Sequence, residues 1–343
     1  MFRLLGMRNV VGCVLIVPIL AFPASAQEAD PSFKGRPFYV YIGPGQPGGS
    51  YDLYARLLAR HIGRHLPGEP TVIAQSRSGA AGMVLANYLY NVAPRDGTAI
   101  GILAEAAALS EVLGTTGVRY EVNKFNWIGR LATTVNITLT WHTSKIQTAA
   151  DAMRTEAPFA STQPGAAAYD QPTVLNKVVG TKFKVIPGYR GSVPMLLAME
   201  RGETDGAFTD WSTFKVGHPH WINEAKIRVI VQYTVERQPD LPKIPTAVEL
   251  GRTASDRELL QLFMSSADLG RASVAPPGIP PRQLKAVRDA FDATLKDPKF
   301  FADVKQSKLE ISPLSGEALQ EVIRKVTQVS PAVLARAQTM MKN

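Results

Sequence analysis

The chain holds 343 residues, with 38 Lys and Arg against 29 Asp and Glu for a net charge of +9, and a single cysteine. The cations are scattered among acids and form no basic tract interleaved with aromatics, which argues against a nucleic-acid partner. Cys13 falls within an N-terminal leader, so the mature chain would have no disulfide, no thiolate metal site and no cysteine nucleophile.

The leader spans residues 1–26: Arg3 and Arg8, an apolar run from Val10 to Phe22, then AlaSerAla (24–26) as a small-residue cleavage site near Ala26 and Gln27. Its removal lowers the net charge to about +7, an excess that would concentrate acidic small molecules near the surface. ValValGlyCys (10–13) has the look of a lipoprotein box, but Arg8 leaves almost no apolar segment ahead of it. No later stretch approaches the ~18 consecutive apolar residues of a membrane span. The expected product is a soluble exported chain, long enough to divide into two lobes, 27–139 plus 266–343 and 140–265.

Beyond the leader, Val, Ile and aromatic residues mark strands at 37–42, 71–75, 98–103, 134–141, 182–187 and 226–233. Helical spacing appears between them, as in Leu53, Leu57, Leu58 and Ile62, and in Leu85, Leu89 and Val92. Alternation of this kind predicts an α/β fold, each lobe a mostly parallel sheet flanked by helices. From Pro280 the chain turns helical, with Leu284, Val287, Phe291 and Leu295 as one stripe. Proline-rich stretches at 235–256 and 276–281 are candidate crossings or surface straps, and more than one crossing would make a hinge and not a tether.

One phrase occurs twice where a strand gives way to a helix: GlnProGlyGlySerTyrAsp (46–52) and GlnProGlyAlaAlaAlaTyrAsp (163–170). Helix N-termini carry unpaired N–H groups and a partial positive charge, so two of them facing one cleft would hold a carboxylate without a dedicated arginine. Two further strand-to-helix turns are built alike, SerArgSerGlyAlaAlaGly (76–82) and GlyTyrArgGlySer (188–192). Asp52 and Asp170 either cap their own helices or point into the cleft, where they would repel a carboxylate and invite an amine.

Other patterns carry less. Residues 43–48 match GxGxxG, but the strand after it, ValIleAlaGlnSer (72–76), offers no acid for a ribose, and two prolines stiffen the loop. His61 and His65 stand four apart without the glutamate of a zinc-protease helix and are flanked by Arg60 and Arg64, which predicts a solvated helix face and no metal. His218 and His220 around Pro219 read as a surface loop, and no GxSxG elbow occurs. No catalytic residue, metal ligand or cofactor is expected.

ProGlyGlySerTyrAspLeuTyrAlaArgLeuLeuAlaArg (47–60), SerGlyAlaAlaGly (78–82) with AlaAsnTyrLeuTyr (86–90), AlaProArgAspGlyThr (93–98), ValIleProGlyTyrArgGlySer (185–192) and GluArgGlyGluThrAspGly (200–206) together resemble the signatures of the substrate-binding proteins of tripartite tricarboxylate transporters, the Bug receptors. The family pattern has Pro before GlyAlaGlyGly, from which Ser78 and Ala81 depart. The resemblance implies an α/β two-lobed periplasmic-binding-protein-like clamshell (type II), a periplasmic monomer that holds a small mono-, di- or tricarboxylate through backbone amides and water, performs no chemistry, and delivers the acid to the membrane permease subunits of a tripartite transporter. It places the ligand on Gly48, Gly49, Ser50 and Tyr51, on Ser78, Gly79, Ala80 and Ala81, and on Thr162, Gln163, Ala166, Ala167, Ala168 and Tyr189. The alternative is an exported α/β enzyme acting on a phosphorylated or carboxylated small molecule through the glycine loop at 43–49.

Overall fold

A computed structural model describes residues 32–342, and the leader and its cleavage site lie outside them. In chain order the first elements are β1 (Phe38–Ile42), α1 (Ser50–Ile62), β2 (Val72–Ser76), α2 (Met83–Asn91), β3 (Ala99–Ile102), α3 (Ala107–Val112) and β4 (Asn126–Arg130). The middle of the chain forms β5 (Asn136–Trp141), α4 (Ala149–Ala152), β6 (Ala157–Ala160), α5 (Ala167–Val179), β7 (Phe183–Ile186), α6 (Ser192–Glu200), β8 (Gly206–Asp210), α7 (Trp211–Gly217), α8 (Pro219–Asn223), β9 (Ile227–Gln232) and α9 (Ala254–Met264). The remainder is β10 (Ala272–Ala275), α10 (Pro281–Thr294), α11 (Pro298–Gln306), β11 (Leu314–Ser315), α12 (Gly316–Thr327) and α13 (Pro331–Lys342). Among the described residues no helix is long and apolar enough to cross a membrane.

Two mixed sheets divide these strands, ordered β11-β4-β10-β3-β1-β2 and β7-β6-β8-β5-β9. Leaving out the two-residue β11, the orders superimpose: β1 with β6, β2 with β7, β3 with β8, β10 with β5, and β4 with β9. In each sheet three strands run parallel, β1, β2 and β3 in the first and β6, β7 and β8 in the second, and one inner strand runs against both its neighbours, β10 in the first and β5 in the second, with the short edge strand β11 also antiparallel to β4. The inner strands β10 and β5 are those by which the chain arrives from the other lobe.

The first lobe boundary and the C-terminal helix differ from the sequence expectation. β5 pairs with β8 and β9, so the first crossing falls at 131–135, ahead of the expected break at 139/140, which would cut that strand. The second falls at 265–271. The two crossings are hydrogen-bonded to each other, Leu131 N–H to Arg271 O at 3.1 Å, Arg271 N–H to Ala132 O at 2.8 Å and Thr134 N–H to Ala267 O at 3.1 Å. Gly270 makes this approach possible: at φ +48°, a Cβ there would lie 2.0 Å from Ala132 O. A third crossing follows α12, because α13 leaves the first lobe and packs on α9, with Val333 and Ala337 buried in the second-lobe core and Arg336 paired with Asp256 at 2.6 Å. The proline-rich stretches are not these crossings.

Each lobe has its own core. Phe38, Val40, Leu57, Leu58, Ile62, Val287 and Phe291 are buried on one face of the first sheet, and Phe159, Leu175, Phe208, Tyr233, Leu259 and Phe263 fill the second lobe. Of the residues at helical spacing, Leu57, Leu58, Ile62, Leu85 and Leu89 are buried, while Leu53 and Val92 are 37% and 69% exposed.

His61 also departs from expectation. It is only 7% exposed, with Nε2 2.9 Å from Asp303 and its ring edge-on to Phe300, so this face of α1 docks on α11 instead of meeting solvent. His65 makes a similar contact with Asp297 at 3.0 Å. His218 is the single residue linking α7 to α8, and exposed His220 lies in the first turn of α8, with both rings against Trp221.

Candidate functional site

The superposed strand orders put the two halves of the repeated phrase at equivalent places, after β1 and after β6. Both are the same turn. Gly49 N–H bonds Gln46 O at 3.0 Å, and Ala166 N–H bonds Gln163 O at 3.2 Å. Each has proline at the second position and a left-handed glycine at the third, Gly48 at φ +77° and Gly165 at φ +84°, the type II pattern that only glycine adopts without strain. The glycine N–H is then taken by the aspartate that follows: Gly48 by Asp52 at 2.9 Å and Gly165 by Asp170 at 3.0 Å. Both aspartates therefore turn back onto their own loops and away from the cleft.

What the turns leave open is backbone N–H. Ser50 and Tyr51 are the first two residues of α1, and Ala167 and Ala168 the first two of α5, positions with no intrahelical acceptor. No backbone acceptor elsewhere among the described residues takes them. The same holds for Ala80 and Ala81, in the turn after β2. That turn is strained: Ala80 and Ala81 have φ of 44° and 54°, between left-handed Gly79 and Gly82. A side chain in this region costs roughly 1 kcal/mol or more, which the surroundings must offset.

The lobes meet at these turns. Ala81 Cβ is 3.8 Å from where a Cβ on Gly165 would stand, and the Gln46 side chain donates to the Arg190 carbonyl. Tyr189 and Gly188 are held to the 161–162 segment by N–H bonds to Ser161 O at 3.1 Å and Thr162 O at 3.2 Å. The structure thus brings the turns that follow β1, β2 and β6 and the 188–190 segment to one junction between the lobes. Thr162 Oγ1 is buried without a partner. Pro172, inside α5, has no N–H for the Ala168 carbonyl, and the Ser161 hydroxyl supplies the missing donor at 2.7 Å.

Beneath the first turn lies a charged group that sequence reasoning missed. Arg271, 3% exposed, donates from Nε and Nη2 to Ser50 Oγ at 2.9 and 2.7 Å and from Nη1 to Thr134 Oγ1 at 2.7 Å, with its guanidinium 4.1 Å from the Tyr51 ring centre. Asp210 of the second lobe is 3.7 Å away. Burial works against the arginine's charge, but Tyr51, Asp210 and Glu105 outweigh it and keep it protonated. Glu105 is itself buried; burial raises its pKa, while Arg271 and the Asn136 amide, 2.8 Å away, pull the other way. Its second carboxylate oxygen has no partner. At the flank, Glu310 spans the lobes: its carbonyl accepts from Tyr54 and its carboxylate from Ser212 at 2.7 Å and Lys215 at 2.6 Å.

Two acids near one buried cation could suggest catalysis, yet both are committed elsewhere. Asp210 caps α7 through Thr213 N–H at 2.8 Å, and Glu105 is tied to Asn136. Among the described residues no group of three or more His, Cys, Asp or Glu is placed to hold a metal ion. A cavity of about 820 Å³ opens on the crossings, lined by residues such as Thr134, Gln261, Asp268 and Lys325, and contains none of the residues named from sequence.

A family model for the tripartite tricarboxylate transporter family receptor matches residues 54–336. The chain is 25% identical over 332 residues to the UPF0065 protein in the gbd 5' region of Cupriavidus necator, covering 93% of this chain and 92% of that one. It is 26% identical over 259 residues to Protein BugT of Bordetella pertussis, covering 73% and 74%. Among solved structures, the periplasmic binding protein BugD superimposes with a TM-score of 0.67 at 22% identity, over 89% of this chain and 98% of that one. MatC from Rhodopseudomonas palustris, solved with malate, gives 0.64 at 17% identity, over 89% and 99%. A second R. palustris protein, solved with adipate, gives 0.64 at 20%, over 89% and 96%. At these identities the structural likenesses speak to the fold.

Proposed function

The chain belongs to the tripartite tricarboxylate transporter receptor family, and from that premise we propose that it captures a small organic acid between its lobes, holds the carboxylate on backbone N–H groups and water, and hands it to a membrane permease. The family is one of periplasmic receptors, so the protein is a receptor and not an enzyme. Export through the 1–26 leader and action as a monomer belong to the same proposal.

One observation carries the reading. Two turns of identical design, at equivalent places in the two sheets, leave the N–H groups of Ser50, Tyr51, Ala167 and Ala168 unpaired where the lobes meet, while Asp52 and Asp170 are turned away. Donors of this kind favour an anion and offer nothing to an amine. The ligand-binding set is Gly48, Gly49, Ser50, Tyr51, Ser78, Gly79, Ala80, Ala81, Thr162, Gln163, Ala166, Ala167, Ala168 and Tyr189. Malate and adipate, bound by two structural neighbours, give the size range to try first.

A thermal-shift panel of carboxylates, amines and nucleotides tests it. A bound acid at a hundredfold excess over Kd should stabilise the protein by about 2.7 kcal/mol. Stabilisation by amines or nucleotides alone would sink the reading.

A further inference from the structure

The serine at the start of α1 is in an unusual position for a hydroxyl. Such a group has one hydrogen to give and two lone pairs with which to accept. Both lone pairs of Ser50 are occupied by Arg271, through Nε and Nη2. Its hydrogen can therefore only be given, and no acceptor among the described residues takes it. The matching position in the second lobe, Ala167, has no hydroxyl at all.

The arginine is costly where it stands. An ion nearly removed from water loses several kcal/mol of solvation, and apolar groups in place of the whole ionic set, Arg271 together with its acids, would serve the fold as well or better. Its hydrogen bonds and nearest ring hold the Ser50 hydroxyl, the Thr134 hydroxyl in the first crossing, and the face of Tyr51. These three lie between the hinge and the first turn; Asp210 at the end of β8 stands 3.7 Å away, and no contact is made to the second turn.

We propose that Arg271 is a positioning residue that locks the Ser50 hydroxyl as a hydrogen-bond donor to a ligand carboxylate oxygen, so that the first-lobe turn accepts a carboxylate and rejects the corresponding amide. An unlocked hydroxyl could rotate and accept from an amide N–H. A locked one leaves that N–H facing another donor. The inference rests on the receptor reading above and adds to it the residue that enforces the choice.

The test is a double-mutant cycle by titration calorimetry on Ser50→Ala, Arg271→Gln and the double variant, with malate, adipate and the monoamide of adipate. Loss of one hydrogen bond to a charged group predicts about tenfold weaker acid binding for Ser50→Ala, and a narrowed gap between adipate and its monoamide. Arg271→Gln should cost a similar factor alone and less than twofold more once Ser50 is already replaced. If the arginine change costs as much in the double variant as in the wild type, Arg271 acts on the ligand directly and the relay is wrong. Unchanged binding by Ser50→Ala overturns it as well. Should Arg271→Gln fail to fold, Thr134→Val replaces it in the cycle, since it frees the guanidinium from its third contact, and the same non-additivity is required. A wild-type protein that binds no acid in the wider panel defeats the receptor reading itself, an outcome separate from additive losses in a protein that binds.

Discussion

The turns at 46–52 and 163–170 share a backbone and differ in charge. In the first, burial works to raise the Asp52 carboxyl, but Arg56 at 2.8 Å and the Gly48 N–H hold it below the ordinary value, and Arg271 lies under the neighbouring serine. In the second, Asp170 has the glycine N–H and no cation, and burial pushes its pKa up to about 6. The same hydrogen-bonded loop thus has its carboxyl pKa lowered in one lobe and raised in the other. A local sequence motif fixes the path of the chain, and its electrostatic setting is supplied by residues far away.

The largest effect expected from this asymmetry is on the first lobe. Arg271→Met leaves Glu105 and Asp210 facing each other without their shared cation, which should cost about 3–5 kcal/mol in urea unfolding at neutral pH. A loss below about 1 kcal/mol would mean that the buried charges are already neutralised by protonation.

The second lobe should respond with the opposite sign. Because the folded pKa of Asp170 lies above the unfolded value, the native state binds the proton more tightly. Its contribution to stability is complete below about pH 4 and is lost as the pH rises through about 6. A shift of this size corresponds to something on the order of 3 kcal/mol. Asp170→Asn keeps an oxygen for the Gly165 N–H and removes the charge, so the variant should unfold like wild type near pH 4 and be more stable at pH 8. Equal stability at pH 8 would show that Asp170 is solvated there.

A smaller change separates binding from folding. Ala167→Val places two methyl groups beside the unpaired N–H groups of α5, and should weaken acid binding about tenfold while moving stability by under about 1 kcal/mol. Unchanged affinity in calorimetry would remove the second turn from the site and leave a single-lobe model.

Much of this was legible in the sequence where the signal is local. The ProGly pairs at 47–48 and 164–165 dictate their turns, and the Val- and Ile-rich strands declare themselves. β4, β8 and β10 do not: Gly129 lies under the Phe291 ring, Gly206 under Phe159, and β10 is AlaSerValAla, so each is a strand only because tertiary neighbours demand it. Arg271 was invisible for a related reason. It reaches Ser50 across 221 positions of sequence, and nothing near it marks it as part of a site. His61 was misread because the partner that buries it, α11, lies 242 positions away at Asp303.

The crossing strands and the last helix also set an order of assembly. The first sheet lacks its inner strand β10 until the whole second lobe has been synthesised, and the second lobe lacks α13 until the first is complete. Neither half is finished by a continuous stretch of chain. Contacts that close over such long separations are slow to form, since the loop between them must be ordered before they stabilise anything. A fragment ending near residue 265 would carry a sheet with an open place in it, exposing unpaired edges and apolar faces, and would be prone to aggregate. Interleaving makes the two lobes a single cooperative unit, completed only when the last dozen residues are in place.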